Sequence, residues 1–242
     1  MIPLTGTPGR CITEVTGPPG YFDPSAGPAG RTSPKGALAM NETTIAWLNV
    51  AVMVVFSVVF SVLYVMSVHP ARLEPRIGEK AYRRCATYRI AASFFMFIPM
   101  ANYVIYRFYP LPTDPLPERF PWPYAVNVIV VILFGIPAMV VFVWGILDAG
   151  TETLFPDKSH TMYKGIYQHI RHPQALGEAP MWLAIALLLN SPFLSIYSLL
   201  FLPVWYWWCL EEEKDLLLRY GDSYAEYRSR TGMFFPRRQR PA

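Results

Sequence analysis

The sequence predicts an all-α fold: a polytopic bundle of about five transmembrane helices, with a C-terminal helical hairpin and a cytoplasmic amphipathic helix. Three observations predict it. Of 242 residues, 53% are hydrophobic and only 16% charged, against about a quarter charged in ordinary soluble domains. The apolar residues are gathered into runs of membrane-crossing length with almost no charge inside them. The basic residues fall in alternate loops, as the positive-inside rule requires. The net charge is only +4, and its distribution speaks for membrane topology rather than nucleic-acid binding.

Residues 1–39 read as a disordered tail. Pro18, Pro19, Gly20, Pro24, Gly27, Pro28 and Gly30 interrupt it, no apolar period is available to bury, and no signal-peptide core follows the start. Met40, just ahead of the first apolar run, is a candidate translation start. Spans are expected at about residues 45–68, 90–106, 124–147, 175–189 and 193–210. The first holds no charge, and Pro99 and Asn102 in the second mark a kink or an inward-facing polar group. Only Asn190, Ser191 and Pro192 separate the last two runs, a connection too short for anything but an antiparallel helical hairpin. The chain therefore divides into the tail, 1–39, three transmembrane helices, 40–147, and a region of polar loop, hairpin and tail, 148–242.

Orientation follows from the loops. Arg72, Arg76, Lys80, Arg83, Arg84 and Arg89 lie between spans one and two, and Lys158, Lys164 and Arg171 between spans three and four. Lys214, Arg219, Arg228, Arg230, Arg237, Arg238 and Arg240 follow span five, whereas the second loop has only Arg119 clear of the helix ends. The first loop, third loop and C-terminus are then cytoplasmic and the N-terminus outside. A count of four, with residues 175–189 re-entrant, would strand the basic tail outside. Beyond residue 210, Leu216, Leu217, Tyr220, Tyr224 and Tyr227 form an apolar face broken at Gly221, which predicts an interfacial helix, a break and a second short helix.

Two polar clusters share the cytoplasmic side. One runs from Gly165 through Tyr167, Arg171, His172 and Pro173 to Gly177 and Glu178; the other holds Glu212, Glu213, Tyr220 and Tyr224. The hairpin brings them to one end. Each has an ordinary reading: Arg171 as an anchor to lipid phosphate, His172 as a helix-start residue, the glutamates as a solvated face. Carboxylates abutting a bilayer are costly, however, and tend to be functional. Glu178 lies just inside span four and needs a partner, Arg171 or a ligand ammonium. His169 and His172 lack a third ligand at a sensible spacing, since His160 belongs to a loop. Cys11, Cys85 and Cys209 form no ligand-spaced pair, so no metal site is expected.

The run Gly-Ile-Tyr-x3-Arg-His-Pro-x3-Gly, the hairpin, then Glu-Glu-x2-Leu-x3-Tyr-Gly-x2-Tyr-x2-Tyr and finally Phe235-Pro236 resembles the isoprenylcysteine carboxyl methyltransferase-like family. The related phospholipid methyltransferases look similar, and the resemblance covers roughly residues 148–237. It implies an integral membrane methyltransferase with S-adenosylmethionine as cofactor, held by the cytoplasmic C-terminal region. The methyl acceptor would be lipidic or a small hydrophobic molecule, isoprenylcysteine carboxylate-like or phospholipid amine-like, arriving from the membrane lipids.

Carried onto this chain, the resemblance implies cofactor contacts at Tyr167, Arg171, His172, Pro173, Gly177, Glu212, Glu213, Tyr220 and Tyr224. Arg171, His172 and Glu178 are the catalytic candidates. The family usually has an aromatic two residues after the proline, where this chain has Ala175. Arg171 suits the cofactor carboxylate in a bidentate pair, and Glu212 or Glu213 its ammonium or ribose hydroxyls. His172 suits a cofactor contact or a base. A carboxylate acceptor needs no base; an amine or thiol does, and His172 or Glu178 would supply it. Trp205, Tyr206, Trp207 and Trp208 read as an interfacial belt, with a cation–π role toward the sulfonium as the alternative. Two other functions stay open: an NADPH-dependent sterol-reductase-like enzyme, normally a much larger chain, and a non-catalytic membrane scaffold with a degenerate motif.

Overall fold

The computed structural model describes residues 35–112, 114–158 and 164–237. Most of the Gly/Pro-rich tail, Cys11, His160, Arg238 and Arg240 lie outside the described residues. The rest is helical: α1 (Lys35–Ser67), α2 (Pro70–Ile77), α3 (Lys80–Phe108), α4 (Tyr124–Val130), α5 (Ile136–Ala149), α6 (Pro173–Leu188), α7 (Pro192–Leu200), α8 (Leu202–Tyr220) and α9 (Asp222–Arg230). An isolated parallel bridge, Ile170 to Gly232, is the one β-type pairing among the described residues.

Four stretches are long and apolar enough to cross a membrane: Asn41–Ser67, Lys80–Phe108, Tyr124–Thr153 and Pro192–Tyr220. Their outward faces carry exposed Val54, Val58, Phe94, Phe97, Leu133, Phe134 and Leu147. Such a surface suits lipid, and helices keep their backbone bonds internal there. The remaining expected span, α6, has 16 residues, about 24 Å at 1.5 Å per residue. It still runs from one end of the bundle to the other. At its far end, Tyr124 donates to the Leu188 carbonyl at 3.0 Å and Asn127 to Asn190 at 3.0 Å. At its near end, His172 meets Glu213 on α8. Neighbouring helices thus supply the polar partners that its short apolar stretch leaves to be found.

Several boundaries differ from the sequence reading, among them the start of α3 at Lys80 and the division of the last expected span at Phe201 into α7 and α8. Helix α1 starts at Lys35, inside the stretch read as tail. The α4–α5 stretch is interrupted by a π-turn at Val131–Gly135, where a Cβ on Gly135 would stand 3.1 Å from Ala184 on α6. Helix α8 continues unbroken to Tyr220. The glutamates expected just beyond the last span therefore stand on the spanning helix itself. Gly221, with φ +55°, then breaks the chain before α9, as its position predicts. The hairpin forms as expected, with Ser191 accepting from the Leu194 amide at 3.3 Å to cap α7.

Helix α1 packs chiefly on α3, and α5 on α6. One apolar cluster fills the far half of the bundle around Met53, Tyr103, Tyr106, Ala186 and Leu194. A second, around Phe60, Ala92, Ala179, Trp205 and Trp208, closes the middle. Trp205 and Trp208 are thus core residues, and of the expected aromatic belt only Tyr206 and Trp207 are exposed.

The three basic segments meet at the near end. Asp215 accepts from the Ala71 and Arg72 amides at 3.2 and 3.0 Å, capping α2. His69 approaches Glu211 at 3.2 Å, Lys158 pairs with Glu74 at 2.6 Å, and Arg219 pairs with Glu152 at 2.8 Å. These contacts draw the first loop, the third loop and the C-terminal segment onto a single end, which the alternation of loop charges requires.

Candidate active site

The site grows from the start of α6. Pro173 at its first turn fixes a backbone that needs no amide donor there. The residues just before it are pinned from two directions. Gly165, at φ +54°, lets the chain turn so closely over Asp148 that a Cβ would sit 2.0 Å from its carboxylate; Asp148 accepts from the Ile166 amide at 2.7 Å. From the other side the segment after α9 folds back. The Arg171 and His172 amides donate to the Gly232 and Met233 carbonyls at 2.9 and 3.1 Å. Tyr227 donates to the Tyr167 carbonyl at 2.6 Å. Tyr167 in turn donates to the Gly145 carbonyl at 3.2 Å and receives Gln174 at 3.1 Å.

Glu213 is the hub of the cluster. One oxygen accepts from Arg171 Nε at 2.7 Å and stands 3.2 Å from His172 Nε2; the other meets Arg228 Nε at 3.1 Å. Arg171 Nη1 is also bonded to the carbonyls of Arg228 and Thr231. Glu212 stands 3.5 Å from His172 Nδ1. Burial opposes charge on His172, but Cys209 and the carboxylates of Glu212 and Glu213 outweigh it and hold the imidazole well above its ordinary value. A ring held as histidinium between two carboxylates is a poor base and a good partner for an anion.

Beside this cluster, among α1, α3, α5, α6 and α8, opens a cavity of about 380 Å³, within the range of small-molecule sites. Of the residues expected from sequence, Tyr167, Arg171, His172, Glu178 and Glu212 line it. Glu178 has no hydrogen bond or ion pair among the described residues, so the expected pairing with Arg171 is not formed; Arg171 is held by Glu213 instead. Apolar walls come from Phe60, Tyr64, Met96, Phe142 and Ile146, with the small side chain of Ala175 beside them.

The other expected contacts lie outside the lining. Glu213 is 3% exposed and consumed by its three cationic neighbours. Gly177 serves helix packing, because a Cβ there would come within 2.5 Å of the Ala138 carbonyl and the Phe142 amide of α5. Pro173 packs toward Gly145. Tyr220 lies under the Arg219 guanidinium at 4.9 Å, and Tyr224 is buried with its ring 5.8 Å from that of Tyr227. Burial, then the nearby Glu213 and Glu212, push the Tyr224 hydroxyl up, so it stays neutral.

The cavity also has a second polar wall that the sequence reading did not single out, formed by Arg89, Glu152, Asp215 and Arg219. A signal was present. Glu212, Asp215, Leu216 and Arg219 fall on one stripe of α8 at helical spacing, as Ala175 and Glu178 do on α6.

A family model described as phospholipid methyltransferase matches residues 125–223. Those residues run from α4 to the start of α9 and contain the first motif segment, the second as far as Gly221, and most of the cavity wall. Residues 125–223 are similar to the phospholipid methyltransferase family over that stretch. No curated protein and no solved structure matches the chain. The phospholipid methyltransferase match begins upstream of the resemblance read from sequence, taking in the α4–α5 stretch that packs on α6. It stops short of the 228–233 segment that clamps Arg171.

Proposed function

We propose that this chain is an integral membrane methyltransferase that binds S-adenosylmethionine in the cavity between α6 and α8 and methylates an amine-bearing lipidic or small hydrophobic acceptor. The observation that carries this reading is the meeting of the two motif segments on one wall, with His172 and Arg171 facing the cavity beside Glu212. The donor set fits the cofactor. A histidinium and Arg171 Nη2, which makes no hydrogen bond among the described residues, suit its carboxylate. Glu212 suits its ammonium or ribose hydroxyls, and the apolar walls suit its adenine. When bound, S-adenosylmethionine supplies an activated methyl group on a sulfonium.

The chain's own residues do the positioning. Tyr167 and Gln174 hold the start of α6 against α5. Apolar walls exclude water, so alignment and desolvation supply most of the acceleration. Glu178 separates the acceptor classes. Its carboxyl, unpaired among the described residues, would repel a carboxylate acceptor but would attract an ammonium and take up its proton. Because His172 is held protonated, Glu178 rather than His172 is the base. The clustered arginines of the near end support a cytoplasmic site with the N-terminus outside, and the lipid-facing bundle supports lateral arrival of the acceptor.

Calorimetric titration of the detergent-purified chain with S-adenosylmethionine and with NADPH tests the reading. Binding of S-adenosylmethionine alone is expected. Binding of NADPH instead favours the reductase reading, and binding of neither favours a scaffold. Glu178→Gln is expected to leave donor affinity intact and suppress transfer to an amine acceptor.

A further inference from the structure

The second wall of the cavity sets two arginines beside two carboxylates, yet leaves guanidinium donors without acceptors. Arg219 is 3% exposed, and its Nη1 pairs with Glu152 at 2.8 Å. Its Nε and Nη2 are buried and have no hydrogen-bond partner among the described residues. Tyr82 and Tyr220 cover the guanidinium, with Cζ 5.4 and 4.9 Å from their ring centroids, so a further partner must approach the edge that carries those two nitrogens. Glu152 is spent, since one oxygen takes Arg219 and the other accepts from the Asp157 amide at 2.8 Å. Asp215 is spent on the Ala71 and Arg72 amides. Arg89, on the same wall, is bonded to neutral oxygens: the Ser67 hydroxyl at 3.3 Å and the Glu152 carbonyl at 3.0 Å. Two guanidiniums thus converge on Glu152, one on its carboxylate and one on its carbonyl. A buried guanidinium with idle donors is costly unless a ligand supplies the acceptor.

We infer that Arg219, supported by Arg89, is an anion-recognition site that takes a carboxylate or phosphate group of a molecule bound in the cavity. The inference rests on reading the cavity as a substrate site and adds a specificity determinant that Arg171 and His172 do not supply. The anion has two sources to separate: the amino-acid carboxylate of S-adenosylmethionine, bound here in place of Arg171 and His172, or the phosphate of the acceptor.

The test compares wild type with Arg219→Lys, which keeps a cation beside Glu152 and removes the planar fork. The purified full chain is titrated with S-adenosylmethionine, its decarboxylated analogue, and dihexanoyl phosphatidylethanolamine below its micellar concentration. If the anion is the donor carboxylate, wild type discriminates about tenfold or more against the decarboxylated analogue and Arg219→Lys loses that discrimination. If it is the acceptor phosphate, donor binding is unchanged and the variant's affinity for the short-chain lipid falls about tenfold or more, the strength of one charge-assisted contact. A variant that unfolds like wild type and binds all three compounds as wild type does overturns the inference. Should Arg219→Lys fail to fold, Arg89→Lys, which leaves the Arg219–Glu152 pair intact, is read by the same titrations. Failure of wild type to bind S-adenosylmethionine would sink the methyltransferase reading, while the lipid titration still decides the anion site.

Discussion

Removal of the Glu213 carboxylate should cost far more stability than removal of its neighbour. Glu213 is 3% exposed and holds Arg171 and His172, both buried, together with Arg228, which is half exposed. The exposed pair contributes little by itself. In Glu213→Ala the two buried cations lose their shared acceptor, and breaking a buried charge pair costs about 3–5 kcal/mol. Replacing Arg171 and Glu213 together, as Arg171→Met with Glu213→Leu, removes the stranded charge, so the double variant should lose less than the sum of its singles by about 1–3 kcal/mol. Reversible unfolding by SDS titration in mixed micelles, followed by tryptophan fluorescence, reads these differences. If Glu213→Ala stays within about 0.5 kcal/mol of wild type, or the double variant is strictly additive, the hub assigned to Glu213 does not exist.

Other outcomes follow from the same geometry. Glu212→Gln, on the cavity side, should leave the unfolding midpoint nearly unchanged yet weaken S-adenosylmethionine binding about tenfold or more, by calorimetry. Gly177→Ala drives a Cβ to within 2.5 Å of α5 backbone and should destabilise by about 1–3 kcal/mol; lost binding with full stability would instead make Gly177 a ligand contact. His172 is raised in the folded chain, so its contribution is complete below the ordinary histidine value of about 6.5 and is lost as pH rises through the raised one. Stability should therefore decline on the alkaline side of that value, and His172→Gln should flatten the decline.

The fold was largely legible because charge-free runs and tight punctuation are strong local signals. The Asn190-Ser191-Pro192 turn fixed the hairpin, and alternate loop charges anticipated that the segments around Arg72, Lys158 and Arg219 share one end. Residues within the site were harder to sort. Glu212 and Glu213 are adjacent in sequence, but about 100° apart around α8, and only packing against α6 decides which faces the cavity. Gly177 sits in the motif for a reason that belongs to α5. Arg89, Glu152 and Arg219 come from three distant segments, and no local pattern ties them together. Trp205 and Trp208 looked interfacial by composition, whereas helix α8 turns them into the core.

The most direct test of the central claim is transfer of tritiated methyl from S-adenosylmethionine to phosphatidylethanolamine by the full chain in proteoliposomes, with Glu212→Gln in parallel. Label should appear in the lipid phase and fall about tenfold or more in the variant. Label no higher than in protein-free liposomes, or equal label from wild type and variant, would contradict it.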